Sequence, residues 1–146
     1  MGIYLNPGND AFQEAVNSEI YVDKSMLIAF TNKKTRTSQK NICVSRPRRF
    51  GKSMAADMLV AYYSRGCDSR ELFQNLKIAQ HPNFTEHLNK YNVIHLNIPN
   101  FLEDAENADD VIQFIKEDVM DELLYAFPDV QMPRRLTLTK ALATIF

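Results

Sequence analysis

Apolar residues recur at helical spacing in two long segments of the chain, 52–65 and 108–126. Gly66 follows the first segment, where a left-handed residue commonly ends a helix. Pro128 follows the second segment, and acidic residues at its beginning favour a helix amino terminus. The spacing predicts an amphipathic helix over each segment, with apolar stripes formed by Met54, Met58, Leu59, Tyr62 and Tyr63, and by Val111, Ile112, Ile115, Val119, Leu123 and Leu124.

Shorter apolar patterns in the first part of the chain predict two more helices. One covers residues 12–18, and the other carries the apolar residues of 26–30 behind a cap at Asp23 or Ser25. Residues 31–40 are polar and basic and lack any apolar period. That stretch predicts a surface loop whose charges are explained by solvation.

The second half of the chain contains two further helical signals. Residues 72–76 predict a helical turn, which His81, Pro82 and Asn83 then interrupt. Residues 136–146 predict a helix that starts near a Thr cap and stops on two apolar residues without a closing turn. A natural end is one explanation. We favour the other, in which the chain is cut in the middle of its fold.

Two segments have the composition of buried strands. Residues 41–45 are rich in β-branched and apolar side chains, and residues 91–98 form a second such run that ends at Pro99. Strands that alternate with helices predict an α/β architecture, in layers around a parallel sheet.

Composition narrows the class of protein. The chain has 146 residues, 45% of them apolar, which suits one domain with a substantial core. A net charge of −1 argues against a protein that mainly coats nucleic acid, although it leaves room for a local basic patch. No apolar run is long enough to span a bilayer, and no signal peptide is recognisable. Cys43 and Cys67 lack metal-ligand spacing, and reduced thiols fit the cytoplasmic location that we expect.

A candidate phosphate loop lies between the first predicted strand and the helix that begins at residue 52. Gly51 lets the backbone approach phosphate oxygens, and the unpaired amides of the first helical turn point towards the anion. Lys52 would reach the β- and γ-phosphates of a nucleotide, and the Ser53 hydroxyl would ligate Mg²⁺. The pattern predicts an ATP and Mg²⁺ site of the Walker A type, formed by Arg46, Pro47, Arg48, Arg49, Phe50, Gly51, Lys52 and Ser53.

One position departs from the usual phosphate-loop pattern. Arg46 stands where that pattern has its first Gly, so this residue needs either a less demanding backbone angle or a reshaped loop. The clustered Arg side chains suit polyphosphate, because guanidinium groups pair with phosphate through two hydrogen bonds. Two alternatives stay open: a strand-to-helix turn with an exposed basic rim, and a local contact with nucleic acid.

Two motifs resemble a known family of proteins. The segment Tyr21-Val22-Asp23-Lys24-Ser25, followed by the phosphate loop at 46–53, is similar to the predicted AAA-ATPase-like family of bacterial P-loop ATPases. The resemblance implies a P-loop ATPase fold, with Lys52 and Ser53 as the phosphate and Mg²⁺ residues. An Arg at position 46 is normal in that family. Its members often continue into a nuclease-type domain, so contact with nucleic acid is expected only through a full-length protein.

The acidic residues that hydrolysis requires are not recognisable in this sequence. ATPases place a carboxylate after an apolar strand, the Walker B motif, to hold Mg²⁺ and polarise water. Asp121 and Glu122 follow two apolar residues but keep a helical period, so a helix interior is the better interpretation. The resemblance places the acidic strand further along the chain. We therefore expect residues 1–146 to be the amino-terminal part of the ATPase domain, and we assign no catalytic residue.

These observations predict a nucleotide-binding fragment that binds Mg-ATP through residues 46–53. One alternative is a nucleic-acid-binding module that uses the basic region 31–52. The other is an interaction domain that associates with itself, and a homo-oligomer is plausible in either case. No membrane partner is expected.

Overall fold

The structure is a computed structural model that describes residues 2–146. Within that range it contains eight α-helices and one 3₁₀ turn, and no β-strand. The predicted parallel sheet is therefore wrong for these residues, and so is the three-layer sandwich of the P-loop type. The helices are α1 (Asp10–Val16), α2 (Met26–Lys34), α3 (Lys52–Tyr63), α4 (Arg70–Phe73), α5 (Phe84–His87), α6 (Ile98–Leu102), α7 (Ala108–Ala126) and α8 (Leu138–Ile145), and the 3₁₀ turn is Lys77–Gln80.

Residues 41–45 are an exposed irregular segment instead of a buried strand. Val44 is 51% exposed, and Cys43, which the strand would have buried, is exposed as well. Among the described residues, this segment makes no backbone hydrogen bond to another part of the chain. A strand is stabilised by pairing with a neighbour, and a β-prone composition does not supply one. The local pattern was therefore insufficient to predict the outcome.

The second predicted strand, at 91–98, is absent as well: residues 91–97 form no strand, and Ile98 already begins α6. Tyr91 makes a single parallel bridge to Ser64, and Ile94 makes a single antiparallel bridge to Leu5. Pro99 does not end a strand here, because it lies in the first turn of α6. Proline is tolerated in that position since the first amides of a helix have no partner within it.

The described chain divides into two compact units, and residues 6–93 form the first. Helices α1, α2 and α3 supply most of its core, together with the short helices and the 3₁₀ turn. The predicted helix over 52–65 is confirmed, but it ends earlier, at Tyr63. Gly66 does not end it in a left-handed conformation, because its φ is not positive and the chain is already extended at Ser64. Helix α2 runs to Lys34, so the predicted loop at 31–40 is partly wrong, and Thr31 is buried. The buried core residues are Phe12, Ile28, Ala29, Met58, Ala61, Tyr62, Phe73, Leu76, Ile78, Phe84 and Leu88.

Tyr62 lies at the centre of this first core and is fully buried. Its ring contacts those of Phe73 and Phe84 at centroid distances of 5.7 and 6.1 Å. Its hydroxyl donates a hydrogen bond of 2.6 Å to the carbonyl of Phe84 and accepts one from Asn32 at 3.1 Å. The hydroxyl is thus satisfied on both sides, as a buried polar group requires.

Residues 2–5 and 94–146 form the second unit. Its core consists of Leu5, Val119, Leu123 and Ala141, with further apolar residues packed around them. Helix α7 has the predicted bounds, and Asn107 and Asp110 form a capping box at its beginning. Helix α8 confirms the prediction near the carboxyl end, because Thr137 accepts a hydrogen bond from the amide of Lys140.

Hydropathy along the helices bears on membrane insertion. Of the helices that the structure describes, none combines the length and the apolar character that crossing a bilayer requires.

Candidate functional site

The candidate phosphate loop leads directly into α3, as the sequence predicts. Gly51 is the residue before the helix and has a left-handed backbone with φ of 72°. Glycine adopts this conformation without strain, whereas a side chain at the same position would be unfavourable. Lys52 and Ser53 are the first two residues of α3, and both are exposed.

The structure accounts for the Arg at position 46. Positive φ angles within the loop occur at Arg49, with 66°, and at Gly51. Arg46 is not among the residues with positive φ, so its backbone angle is the less demanding one that an arginine at this position needs. The side chains of Arg46, Arg48, Arg49 and Phe50 are exposed around the loop, and Phe50 is 60% accessible.

The Lys52 side chain folds back over the loop that precedes it. Its Nζ donates hydrogen bonds of 2.7 Å to the carbonyl of Arg46 and 3.0 Å to the carbonyl of Pro47. The ammonium group therefore lies against the beginning of the loop, although the residue itself belongs to α3.

Lys24 is a residue of this site that the sequence analysis did not assign. Its Nζ donates a hydrogen bond of 2.9 Å to the carbonyl of Phe50, at the end of the loop. The same nitrogen lies 3.0 Å from the position that a Cβ atom on Gly51 would occupy. Only the motif at 21–25 could have pointed to it, because the two ends of the contact are 26 positions apart in the sequence.

A cavity of about 350 Å³ opens beside the loop, within the first unit. This volume falls in the range of small-molecule sites, roughly 300–1,000 Å³. Among the described residues, its lining combines three cationic side chains with apolar ones and includes no acidic side chain. The lining residues are Lys24, Leu27, Val44, Arg46, Phe50, Gly51, Lys52 and Ala55.

Asp23 and Ser25 attach the segment that carries Lys24 to the 3₁₀ turn. The Asp23 carboxylate accepts a hydrogen bond of 2.8 Å from the amide of Lys77, and the Ser25 hydroxyl accepts one of 3.1 Å from the amide of Ile78. The Asp23 carboxylate also accepts a hydrogen bond of 2.8 Å from the amide of Ser25, and Ser25 is fully buried. Asp23 and Ser25 were the expected caps of α2, but their side chains bind the 3₁₀ turn instead. Helix α2 has no side-chain cap.

The pKa of the Asp23 carboxyl follows from these contacts. Burial alone would raise this pKa, since desolvation disfavours the charged form. Hydrogen bonds from Ser25 and from the amide of Lys77, together with the Lys77 charge, outweigh burial and hold the pKa below its ordinary value of 3.8. Asp23 is thus an ionised anchor of the segment.

Of the two acidic residues considered for catalysis, Glu122 has a structural role in the second unit. Asp121 and Glu122 lie inside α7, which agrees with their helical period. Glu122 accepts hydrogen bonds from the amides of Ile3, Tyr4 and Leu5 at 2.7, 3.0 and 2.7 Å. Its carboxylate therefore holds the amino-terminal segment against α7. Within residues 2–146, no three His, Cys, Asp or Glu side chains gather in a metal-binding arrangement.

Comparison with known proteins adds one positive finding. No curated protein and no solved structure matches the chain significantly. The model of a family described as predicted AAA-ATPase matches residues 8–144, which include both motifs. This match covers nearly all of the chain, confirms the family resemblance and indicates an ATPase-like, nucleotide-binding role. The chain therefore belongs to the predicted AAA-ATPase family.

Proposed function

We propose that the chain binds Mg-ATP through residues 46–53. The observation that carries this proposal is the position of the Lys52 ammonium, which bonds to the carbonyls of Arg46 and Pro47 beside a cavity of about 350 Å³. In a phosphate loop, the backbone amides before and within the first helical turn cradle the phosphates, and the Lys at the start of the helix reaches them. Lys52 stands at that position, at the start of α3. The family match supports the same ligand class.

Each residue of the loop has a role in the proposal. Lys52 binds the terminal phosphates, and Gly51 allows the backbone amides to approach them. Arg46, Arg48 and Arg49 surround the loop with exposed guanidinium groups, which pair well with phosphate oxygens. Pro47 and Phe50 complete the loop, and the exposed ring of Phe50 lies at the cavity.

The fit to Mg²⁺ depends on Ser53. Its hydroxyl is exposed in the first turn of α3, next to Lys52. A hydroxyl there is the one protein ligand that a phosphate loop offers Mg²⁺, with phosphate oxygens and water as the other ligands. When bound with the nucleotide, the ion neutralises phosphate charge. Ser53 is the residue of this chain that would hold it.

Calorimetric titration with Mg-ATP tests the proposal. We expect the protein to bind, and Lys52→Ala to weaken binding at least tenfold, since a charge-assisted hydrogen bond contributes about 1.5–3 kcal/mol. Lys40→Ala is the matched control, because Lys40 is also exposed but does not line the cavity. Both variants must retain the wild-type circular dichroism spectrum. Absence of binding by the folded wild type, or equal affinities for wild type and Lys52→Ala, would overturn the proposal.

A nucleic-acid-binding module is the rival function, and exposure of the basic residues is the observation that favours it. Residues 36–50 are exposed without interruption and include Arg36, Lys40 and the three Arg of the loop. That rival predicts binding of an oligonucleotide with steep salt dependence, lost in Arg48→Ala and retained in Lys52→Ala. Binding of ATP that is lost in Lys52→Ala and retained in Arg48→Ala supports the phosphate loop instead.

A further inference from the structure

We propose that Lys24 is a second phosphate-binding residue of this site, which Asp23 and Ser25 hold in position. The inference rests on the proposed function and deepens it, because it assigns a role to a residue outside the loop itself. It starts from three observations: the bond between Lys24 and Phe50, the shared cavity, and the attachment of residues 23 and 25 to the 3₁₀ turn.

Lys24 and Lys52 contact opposite ends of the loop. The Lys52 ammonium bonds to the carbonyls of Arg46 and Pro47, near the beginning. The Lys24 ammonium bonds to the carbonyl of Phe50, immediately before Gly51. Both side chains also line the same cavity. A polyphosphate in that cavity would therefore be reached by a cation from each end of the loop.

The neighbours of Lys24 explain how a flexible side chain is directed there. Asp23 and Ser25 accept hydrogen bonds from the consecutive amides of Lys77 and Ile78. Ser25 is fully buried and Asp23 is half-buried, whereas Lys24 between them is exposed. The two flanking side chains thus hold the backbone of the segment, while the exposed Lys24 side chain extends to the loop.

Charge distinguishes a ligand-binding role from a structural one. Binding the Phe50 carbonyl requires only a hydrogen-bond donor, and a neutral amide could supply it. Instead, Lys24 adds a third positive charge to a cavity already lined by Arg46 and Lys52. The three positive charges around this cavity repel each other, and an anion bound in the cavity would offset that repulsion by attracting all three. An ammonium group also binds a phosphate oxygen more strongly than a neutral carbonyl.

Substitutions of Lys24 that separate charge from hydrogen bonding test the inference. Lys24→Gln keeps a donor for the Phe50 carbonyl but removes the charge, and Lys24→Arg keeps both. Lys33→Gln is the matched control, since Lys33 is an exposed residue of α2 that does not line the cavity. The ligands are Mg-ATP and inorganic tripolyphosphate, titrated by calorimetry against each variant after its fold is checked by circular dichroism.

We expect Lys24→Gln to bind both ligands about tenfold more weakly or worse, as the loss of a charge-assisted contact predicts. Lys24→Arg should recover most of the affinity, and Lys33→Gln should bind like the wild type. Wild-type affinity in Lys24→Gln would overturn the inference, and so would a loss confined to ATP, because tripolyphosphate reports phosphate contacts alone. If the wild type binds ATP and Lys52→Ala does not, the proposed function stands whatever Lys24 does. If the wild type binds neither ligand, both proposals fail.

Discussion

Replacing Gly51 by Ala tests whether the left-handed backbone at the end of the loop is needed for nucleotide binding. Gly51 has φ of 72°, a conformation that costs an alanine roughly 1–2 kcal/mol. The added Cβ would also lie 3.0 Å from Nζ of Lys24, but that amine is the end of a flexible side chain and can shift by a few tenths of an ångström. The backbone therefore supplies most of the expected effect.

We expect the Gly51→Ala substitution to lower the affinity for Mg-ATP more than it lowers the free energy of unfolding. The loop is exposed, so an alanine at 51 can relax the local backbone while the core of the first unit stays intact. Relaxation moves the amides at the start of α3 away from the phosphates. The Gly51→Ala variant should bind Mg-ATP roughly 5- to 30-fold more weakly, which corresponds to the same 1–2 kcal/mol. Calorimetry measures the affinity, and urea unfolding measures the stability.

Gly51→Asn separates backbone strain from the contact with Lys24. Asparagine also carries a Cβ, but it enters the left-handed region more readily than alanine does. We therefore expect Gly51→Asn to retain more affinity than Gly51→Ala. Equal losses in the two variants would assign the effect to the Cβ beside Lys24, and wild-type affinity in Gly51→Ala would refute the requirement for a left-handed residue.

Two further predictions concern stability. Tyr62→Phe should lower the free energy of unfolding by about 1–3 kcal/mol, because it removes the hydrogen bond that the buried carbonyl of Phe84 accepts from the Tyr62 hydroxyl. The control is Tyr125→Phe, at a residue that is 90% exposed, which should leave the urea midpoint unchanged. Equal changes of stability in the two variants would contradict the prediction. For Asp23, whose folded pKa lies below 3.8, the ionised form stabilises the protein above that pH, and the stabilisation is lost as the pH falls through the folded pKa. The Asp23→Asn variant should therefore be less stable than the wild type at neutral pH and should lose less stability as the pH falls. Urea unfolding at a series of pH values measures this, and a parallel decline of the two free energies of unfolding would contradict the prediction.

Helices were predictable from the sequence where the signals are local. Helix α7 has its predicted bounds because an apolar stripe, acidic residues in the first turn and a following proline all lie within one segment. The same reasoning located the beginning of α3 at Lys52. The strands were not predictable, since residues 41–45 and 91–98 have a suitable composition but no neighbouring strand among the described residues. Pairing depends on distant segments, and a local pattern does not record it.

The candidate site shows the same division between local and distant information. The pattern that suggests a role for Lys52 is local, since Gly51 and Ser53 are its neighbours. The contact between Lys24 and the loop is not local, and the residues beside Lys24, Asp23 and Ser25, bind amides more than fifty positions away. The backbone angle of Arg46 is likewise not evident from the sequence. Positive φ favours glycine, and within this loop it occurs at Gly51 and also at Arg49, where φ is 66°. Arg46 itself has no positive φ, because the left-handed positions of the loop come later, and its side chain lines the cavity.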